Sequence, residues 1–327
     1  MFRRKQPKVA VEVEVPRLSI TGAYGKLPTE SDFIQIDSNW REVRALDEIL
    51  QSFYSELSRN QRLEHFRGCG LLLTGGSDRQ GLVATVNPSE DKTGRFYPFV
   101  LFNRLADASF YNRPDATFTA GLSAIEDAIG EELQQADVNS SWLGLLKAQP
   151  EHVSPIDTRR AKRKAMELAE QVSLEDWLNE LAGNDMQLRE HLIGGTLLLI
   201  RQLKQSRVHR AYHGIWLPLL SGTKRHSSIA FWLQLLTGVM NSGSWRPDIV
   251  WTTSGANDRL FILTKPLTLS SLQATADAQA ALAAFLGWND VMDVGGLPDE
   301  IKANAQQWVS KPEANLLDVA IEWYQLV

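Results

Sequence analysis

Gly22-Ala23-Tyr24-Gly25-Lys26-Leu27-Pro28-Thr29-Glu30-Ser31-Asp32-Phe33 packs a strand end, a rigid bend and a helix entry into one short stretch. Leu18, Ile20 and Tyr24 supply the apolar strand character. Gly22 and Gly25 allow backbone angles or close approaches that a Cβ would forbid. Pro28 fixes its own φ and pushes Leu27 out of the helical region, so the strand must stop there. Thr29-x-x-Asp32 then fits a capping box, which predicts a helix start. With two glycines, a proline and a capping pair together, the stretch reads as scaffold. A second stretch, Gly94-Arg95-Phe96-Tyr97-Pro98-Phe99-Val100-Leu101, is an aromatic strand carrying an arginine and a proline. A third, Asp248-Ile249-Val250-Trp251-Thr252-Thr253-Ser254-Gly255, is a β-branched strand running into a small polar turn.

Together, G-x-Y-G-K-L-P-x-x-x-D-F, G-R-F-Y-P-F and the Asp248 to Gly255 strand resemble the TagF (also called ImpM) family of type VI secretion-associated proteins. The order and spacing of the three matches carry the resemblance. Two positions depart from the family pattern. Ser31 stands where a glycine is usual before Asp-Phe, and Thr85-Val86-Asn87-Pro88 is a loose version of the loop before G-R-F-Y-P. The resemblance implies an α/β layered fold with a central, largely antiparallel sheet. It also implies post-translational repression of type VI secretion through binding the forkhead-associated scaffold protein of the system. It brings no catalytic residues to carry over.

Composition sets wider bounds. The chain has 327 residues, 43% of them hydrophobic, with 10 tryptophans, which is enough for a sizeable core. A formal net charge of −5 argues against a general nucleic-acid binder, whose footprint is usually basic. Cys69 is the single cysteine, so an intramolecular disulfide and a cysteine-rich metal site are excluded. That suits a reducing compartment. Met1-Phe2-Arg3-Arg4-Lys5 is followed by Val9 to Val15, where charge interrupts the apolar residues and no signal-peptide core forms. The apolar run from Leu192 to Ile200 is too short to span a bilayer and contains Gly194-Gly195. A cytoplasmic protein without direct membrane insertion is expected, with recruitment to the inner-membrane secretion complex through its partner.

Along the chain, Val9 to Val15 alternates apolar and acidic residues, as an edge strand or ordered arm does. Trp40, Val43, Leu46, Ile49, Leu50, Phe53 and Leu57 recur at helical spacing and predict an amphipathic helix over 39–59. Three strands follow, at 70–74, 82–86 and 96–102, punctuated by Gly75-Gly76-Ser77-Asp78 and Asn87-Pro88-Ser89, which favours an antiparallel meander. Pro98 within the last implies an edge or a bulge. A helix over 115–136 buries Phe118, Leu122, Ile125, Ile129 and Leu133. Pro150 and Pro155 open a linker, Arg159-Arg160-Ala161-Lys162-Arg163-Lys164 is a basic run, and Ser173-x-x-Asp176 is a further capping box. A helix over 185–204 leads to a strand at 214–220. Then come an apolar helix over 227–240, a hairpin from 249–253 and 259–264, an alanine-rich helix over 272–285, and a helical tail carrying Trp308, Leu316, Leu317, Ile321 and Trp323. The organisation is therefore an N-terminal α/β region over 1–148, a helical insertion over 149–190 and a C-terminal α/β region over 191–327 packed with the first. The fold class is α/β (α+β), a layered sandwich with a central, largely antiparallel sheet flanked by helices.

Catalytic constellations are scarce. Gly75-Gly76-Ser77-Asp78-Arg79 lacks the second glycine of a nucleophile elbow. Gly222-Thr223-Lys224 lacks the phosphate-loop frame. His209 and His213 lie four apart without the glutamate of H-E-x-x-H, and they read as surface or helix-end histidines. Cys69 enters an apolar strand as a small buried side chain. No cofactor or metal is expected, and the chain reads as a non-enzyme. The remaining features suggest surfaces. Tyr24, Lys26, Arg95 and Tyr97 mix aromatic and cationic character as interface anchors do. By strand alternation, Phe96 points inward and leaves Arg95 and Tyr97 on the other face. Arg159 and Arg160 suit an acidic or phosphorylated partner, or simply a solvated helix face. Lys224 and Arg225 lie in a polar basic loop whose amides suit an anion, while Ser227 or Ser228 caps the next helix. These eight residues are the candidate partner-binding set. A structural adaptor of the secretion baseplate or membrane complex is the alternative from another class, and an enzyme acting on phosphate esters is a third.

Overall fold

The structure is a computed structural model that describes residues 21–60, 66–74, 81–105, 113–129, 141–149, 157–205, 213–240, 245–253, 258–292 and 296–326. Its frame is a nine-stranded sheet. The strands are β1 (Gly22–Gly25), β2 (Ile34–Ile36), β3 (Cys69–Leu73), β4 (Gly81–Asn87), β5 (Phe99–Leu105), β6 (Gly214–Pro218), β7 (Ile249–Thr252), β8 (Arg259–Leu263) and β9 (Phe285–Leu286). Their order is β2-β1-β5-β4-β3-β7-β8-β6-β9. All pairs are antiparallel except β6 with β9.

The strands read as nearly continuous apolar runs because both faces of the sheet are covered. Alternate residues serve different cores: Leu71, Leu82, Ala84, Val100 and Phe102 face one, and Leu72, Val83, Phe99 and Leu101 face the other. The first core is closed by α1 (Arg41–Arg59), which buries Val43, Leu46, Leu50 and Phe53 at helical spacing. Leu272 of α8 (Leu269–Ala276) and Ala281 of α9 (Ala278–Ala284) complete it. The second core is larger. It holds α2 (Pro114–Ile129), α3 (Ser141–Lys147), α4 (Thr158–Glu170), α5 (Leu174–Ala182), α6 (Met186–Lys204), α7 (Arg225–Met240), α10 (Asp299–Val309) and α11 (Leu316–Leu326). Trp177, Phe231, Trp232 and Trp323 meet mostly edge-on there, the Phe231–Trp232 pair being tilted, and Trp232 donates its indole N–H to the Pro218 carbonyl at 2.8 Å.

The two halves of the chain share this one sheet through β3 and β7, where Gly70 faces Trp251 and Cys69 faces Thr252. Gly70 is a glycine because the Trp251 indole lies across its α-carbon, where a Cβ would overlap the ring. Residues 157–190 are helical and packed. Leu174, Trp177 and Leu178 are fully buried, and Leu174 N–H, Glu175 N–H and Leu316 N–H donate to Ala314, Pro312 and Val172 carbonyls respectively, which stitches α5 to the strand-like entry of α11.

Several local expectations are corrected. Thr29 to Asp32 does not start a helix. Glu30 N–H donates to the Leu27 carbonyl at 3.0 Å, and the chain turns back into β2, so the corner is a hairpin. Pro28 and the polar residues after it serve a turn as well as a helix cap. Pro98 precedes β5 and does not interrupt it, and β5 lies between β1 and β4, not at an edge. The alanine-rich helix is two helices, broken where Asp277 accepts from Gln279 and Ala280 N–H to cap α9, and Phe285 leaves as β9. A 3-10 turn, Gly222–Lys224, runs into α7 at Arg225, so Ser227 and Ser228 are buried helix residues and not caps. Ile321 is exposed on the outer face of α11. The helix expected to reach 136 is described to Ile129. Residues 9–15, Leu133, Pro150, Pro155 and His209 lie outside the described residues.

Candidate partner-binding site

The loop between β4 and β5 is organised by one carboxylate. Asp91 Oδ1 accepts from Thr93 N–H at 2.9 Å, Thr93 Oγ1 at 2.6 Å and Arg95 N–H at 3.0 Å. Its Oδ2 accepts from Arg95 Nε at 2.6 Å and pairs with Lys26 Nζ at 2.9 Å. Burial by itself would raise this carboxyl's pKa, yet the donors from Thr93, Arg95 and Lys26 outweigh it and hold the group well below the usual carboxylate range. The result is a small hairpin. Gly94 N–H closes the turn onto the Asp91 carbonyl at 2.9 Å, Asp91 N–H donates to the Arg95 carbonyl, and Glu90 bridges Phe96.

That hairpin is tied to the end of β1 from several directions. Ser89 Oγ donates to the Lys26 carbonyl at 2.7 Å, Lys92 N–H to the Glu30 carbonyl at 3.0 Å, and Arg95 Nη2 to the Ser31 carbonyl at 2.9 Å. Gly25 makes the approach possible. It sits at φ +125, and a Cβ there would run into the Pro98 carbonyl. Arg95 is thus positioned by Asp91 and Ser31 while its side chain stays 63% exposed. Tyr97 hydroxyl donates to Asp47 Oδ1 on α1, and its ring lies 5.9 Å from Tyr54 and 5.3 Å from Phe33. Burial first, and then the Asp47 carboxylate, push the Tyr97 phenol pKa up, so it stays a neutral donor.

Phe96 is 59% exposed and Phe33 is 41% exposed. The inward Phe96 expected from alternation is therefore corrected, since Gly94 to Tyr97 belongs to the loop hairpin and not to β5. Tyr97 is half-buried in its place. Tyr24 is also corrected: it is only 2% exposed, part of the core under α1, with burial raising its pKa. It supports Phe33 from beneath, ring centroids 6.4 Å apart, and does not itself face solvent.

The structure therefore brings Tyr24, Lys26, Arg95 and Tyr97 into one neighbourhood and leaves the other candidates elsewhere. Lys224 pairs with Asp176 at 3.0 Å and Arg225 with the buried Asp258 at 2.7 Å, which ties down the entry of α7. Arg159 and Arg160 stand exposed in the first turn of α4. Sequence reasoning missed Asp91, although Asp91-Lys92-Thr93-Gly94 has the form of an Asx turn, in which a carboxylate binds the backbone two residues on. It also missed Phe33 as an exposed ring. Chemically, the site is a rigid surface that offers two aromatic rings and a fixed guanidinium. Among the described residues, no group of three or more His, Cys, Asp or Glu could hold a metal ion, and no helix is long and apolar enough to cross a membrane.

Among solved structures, the crystal structure of PA0076 from Pseudomonas aeruginosa PAO1 is similar at 19% identity and a TM-score of 0.31. The likeness covers 41% of this chain and 64% of that one. No curated protein matches. The family model of the TagF N-terminal domain, type VI secretion system-associated, matches residues 22–148, which contain β1 to β5 and the whole Asp91 loop. That match identifies residues 22–148 as a TagF N-terminal domain, a type VI secretion system-associated domain.

Proposed function

We propose that this protein is a non-enzymatic, cytoplasmic regulator that represses type VI secretion after translation by binding the forkhead-associated scaffold protein of the system. Recruitment to the inner-membrane secretion complex then occurs through that partner. The observation that carries the proposal is the Asp91-pinned surface. Arg95, Phe96 and Phe33 are exposed, and the loop that carries Arg95 and Phe96 is held by the hydrogen bonds around Asp91 and Ser31. Aromatic and arginine anchors dominate binding energy when they are held in place before the partner arrives, because less freedom is lost on association. A protein that acts by sequestration inhibits only while bound, so occupancy follows mass action.

The test is calorimetric titration of the forkhead-associated scaffold with the purified chain, followed by separation and intact-mass measurement of the scaffold. Saturation near equal amounts with unmodified scaffold recovered is the expected result. Phe96→Ala should weaken binding by roughly tenfold while leaving the melting temperature unchanged, since the ring is outside the core. A scaffold recovered inactive with a changed mass would replace sequestration with catalysis. Loss of secretion in a strain lacking the protein, where a rise is expected, would replace the repressor with an adaptor.

A further inference from the structure

The charges on α4 are placed against the helix. Arg159 and Arg160 occupy its first turn and Arg163 follows, while Glu167 and Glu170 stand toward its end; the first turn holds no acidic residue and the last no basic one. A helix is positive at its N-terminus and negative at its C-terminus, so these side chains oppose the dipole at both ends, and only the Asp157 carboxylate at the N-cap offsets it at the first. Stability of the isolated helix therefore does not account for it.

The pattern around the helix is equally ordered. Ala161, Ala165 and Ala169 are buried and let α4 lie closely on α2 and α7. At about 100° per residue, Arg159, Arg163 and Arg160 fall within an arc of roughly 100° centred opposite that alanine stripe. All three are exposed. Lys164, on the flank, is engaged, donating to Ser123 Oγ at 2.7 Å and lying 3.8 Å from Glu126. Among the described residues, Arg159, Arg160 and Arg163 make no side-chain ion pair, whereas Lys26, Arg95, Lys224 and Arg225 each have one. The backbone donors of the first turn are already used: Asp157 Oδ1 accepts from Arg159 N–H and Arg160 N–H at 3.0 Å each. What faces solvent over the first two turns is three guanidinium groups, with the exposed Glu167 and Glu170 following on the same arc toward the far end of the helix, in a chain whose net charge is −5.

We propose that the exposed face of the first two turns of α4 is a docking surface for a carboxylate-rich segment of a protein partner. Guanidinium groups on successive turns match carboxylates spaced along a peptide and bind them bidentately. The overall negative charge disfavours broad polyanion surfaces, so the attraction is confined to this face. The surface lies in the helical layer on the far side of the sheet from α1 and is independent of the Asp91 loop.

The experiment uses the full chain and a fluorescein-labelled octa-aspartate peptide, read by fluorescence polarisation at low and moderate salt. An octa-serine peptide, an octapeptide of phosphoserine and glycine, and vesicles containing phosphatidylserine form the other arms. The triple variant Arg159→Gln, Arg160→Gln, Arg163→Gln should weaken octa-aspartate binding by roughly tenfold with an unchanged or raised melting temperature. The control Arg41→Gln, Arg44→Gln, Arg59→Gln removes the same charge from exposed positions on α1 and should leave binding as it was. Equal loss in both triple variants, no loss in the α4 variant, or tighter binding to the phosphoserine peptide or the vesicles than to octa-aspartate would each overturn the proposal.

Discussion

Gly70→Ala tests whether the two halves of the chain really meet at β3 and β7. The Trp251 indole covers the α-carbon of Gly70, and a methyl group placed there would overlap three atoms of the ring. The ring has little freedom to yield. Trp251 is 2% exposed and its face meets Phe118 edge-on, centroids 5.3 Å apart. Forcing extra volume into a packed core typically costs about 1–3 kcal/mol, and a rigid indole wedged between a strand and α2 places this case near about 3 kcal/mol. At about 2 °C per kcal/mol for a chain of this length, the melting temperature should fall by roughly 6 °C. Trp251→Leu removes the obstacle at its own cost of about 2 kcal/mol. The double variant should therefore be more stable than the sum of the two, by a coupling of about 1–3 kcal/mol. Urea unfolding of the four proteins at equal m-values gives the cycle directly. A Gly70→Ala cost below about 1 kcal/mol, or strict additivity with Trp251→Leu, would show that the ring does not lie on Gly70 and that the β3–β7 register is wrong.

Two further outcomes concern ionisation. Asp91→Asn removes a carboxylate whose pKa is depressed on folding, so its contribution is full above the unfolded carboxylate range, near about pH 4, and is lost as pH falls below that. Melting temperatures of wild type and variant, measured from pH 7 downward, should differ at pH 7 and converge below about pH 4, and parallel curves would refute the Asp91 network. His226 is held neutral, its pKa lowered to about 4 by burial and then by Arg225 and Lys164. Unfolded chains bind a proton there below about pH 6.5, so wild-type stability should decline from about pH 6.5 to 4 by up to about 3 kcal/mol, which His226→Phe should suppress. Glu126, 4.0 Å from His226 Nδ1 and raised by burial, offsets part of that decline, so the combined acid profile of His226→Phe and Glu126→Gln separates the two signs.

What was legible in the sequence, and what was not, divides along locality. The helix at Arg41–Arg59 was readable because one face alone is buried, so Val43, Leu46, Leu50 and Phe53 keep the helical period. The strands were readable because burial on both faces makes them short, dense apolar runs between glycines and prolines. The hairpin into β2 was misread because Pro28 and the Thr29 to Asp32 polar residues suit a turn and a helix cap equally. Only the pairing of Ala23 with Ile36 decides between them. The end of the alanine-rich stretch at Ala284 depends on Phe285 leaving to pair with Gly214, a contact no local pattern announces. Of the candidate site, Arg95 and Lys26 were found from composition. Their shared partner Asp91 was hidden among ordinary polar loop residues, and the exposure of Phe96 contradicted a strand period that stops short of it.

The family match ends at residue 148, but the sheet does not. β3 has β4 on one side and β7 on the other, and an apolar strand such as Cys69-Gly70-Leu71-Leu72-Leu73 without β7 would present an unpaired, sticky edge. The later strands therefore complete the region that carries the Asp91 loop. They also fix where the second surface stands. α7 packs on α2 and carries α4 outward, so the arginines of α4 belong to the helical layer over one face of the sheet. Tyr97 and Phe33 pack toward α1 over the other face. No residue is shared between the two surfaces. A partner held at Arg95 and Phe96 leaves Arg159, Arg160 and Arg163 open, and one scaffold with an acidic tail long enough to pass the sheet edge would engage both, gaining avidity from the linkage without any new contact at either.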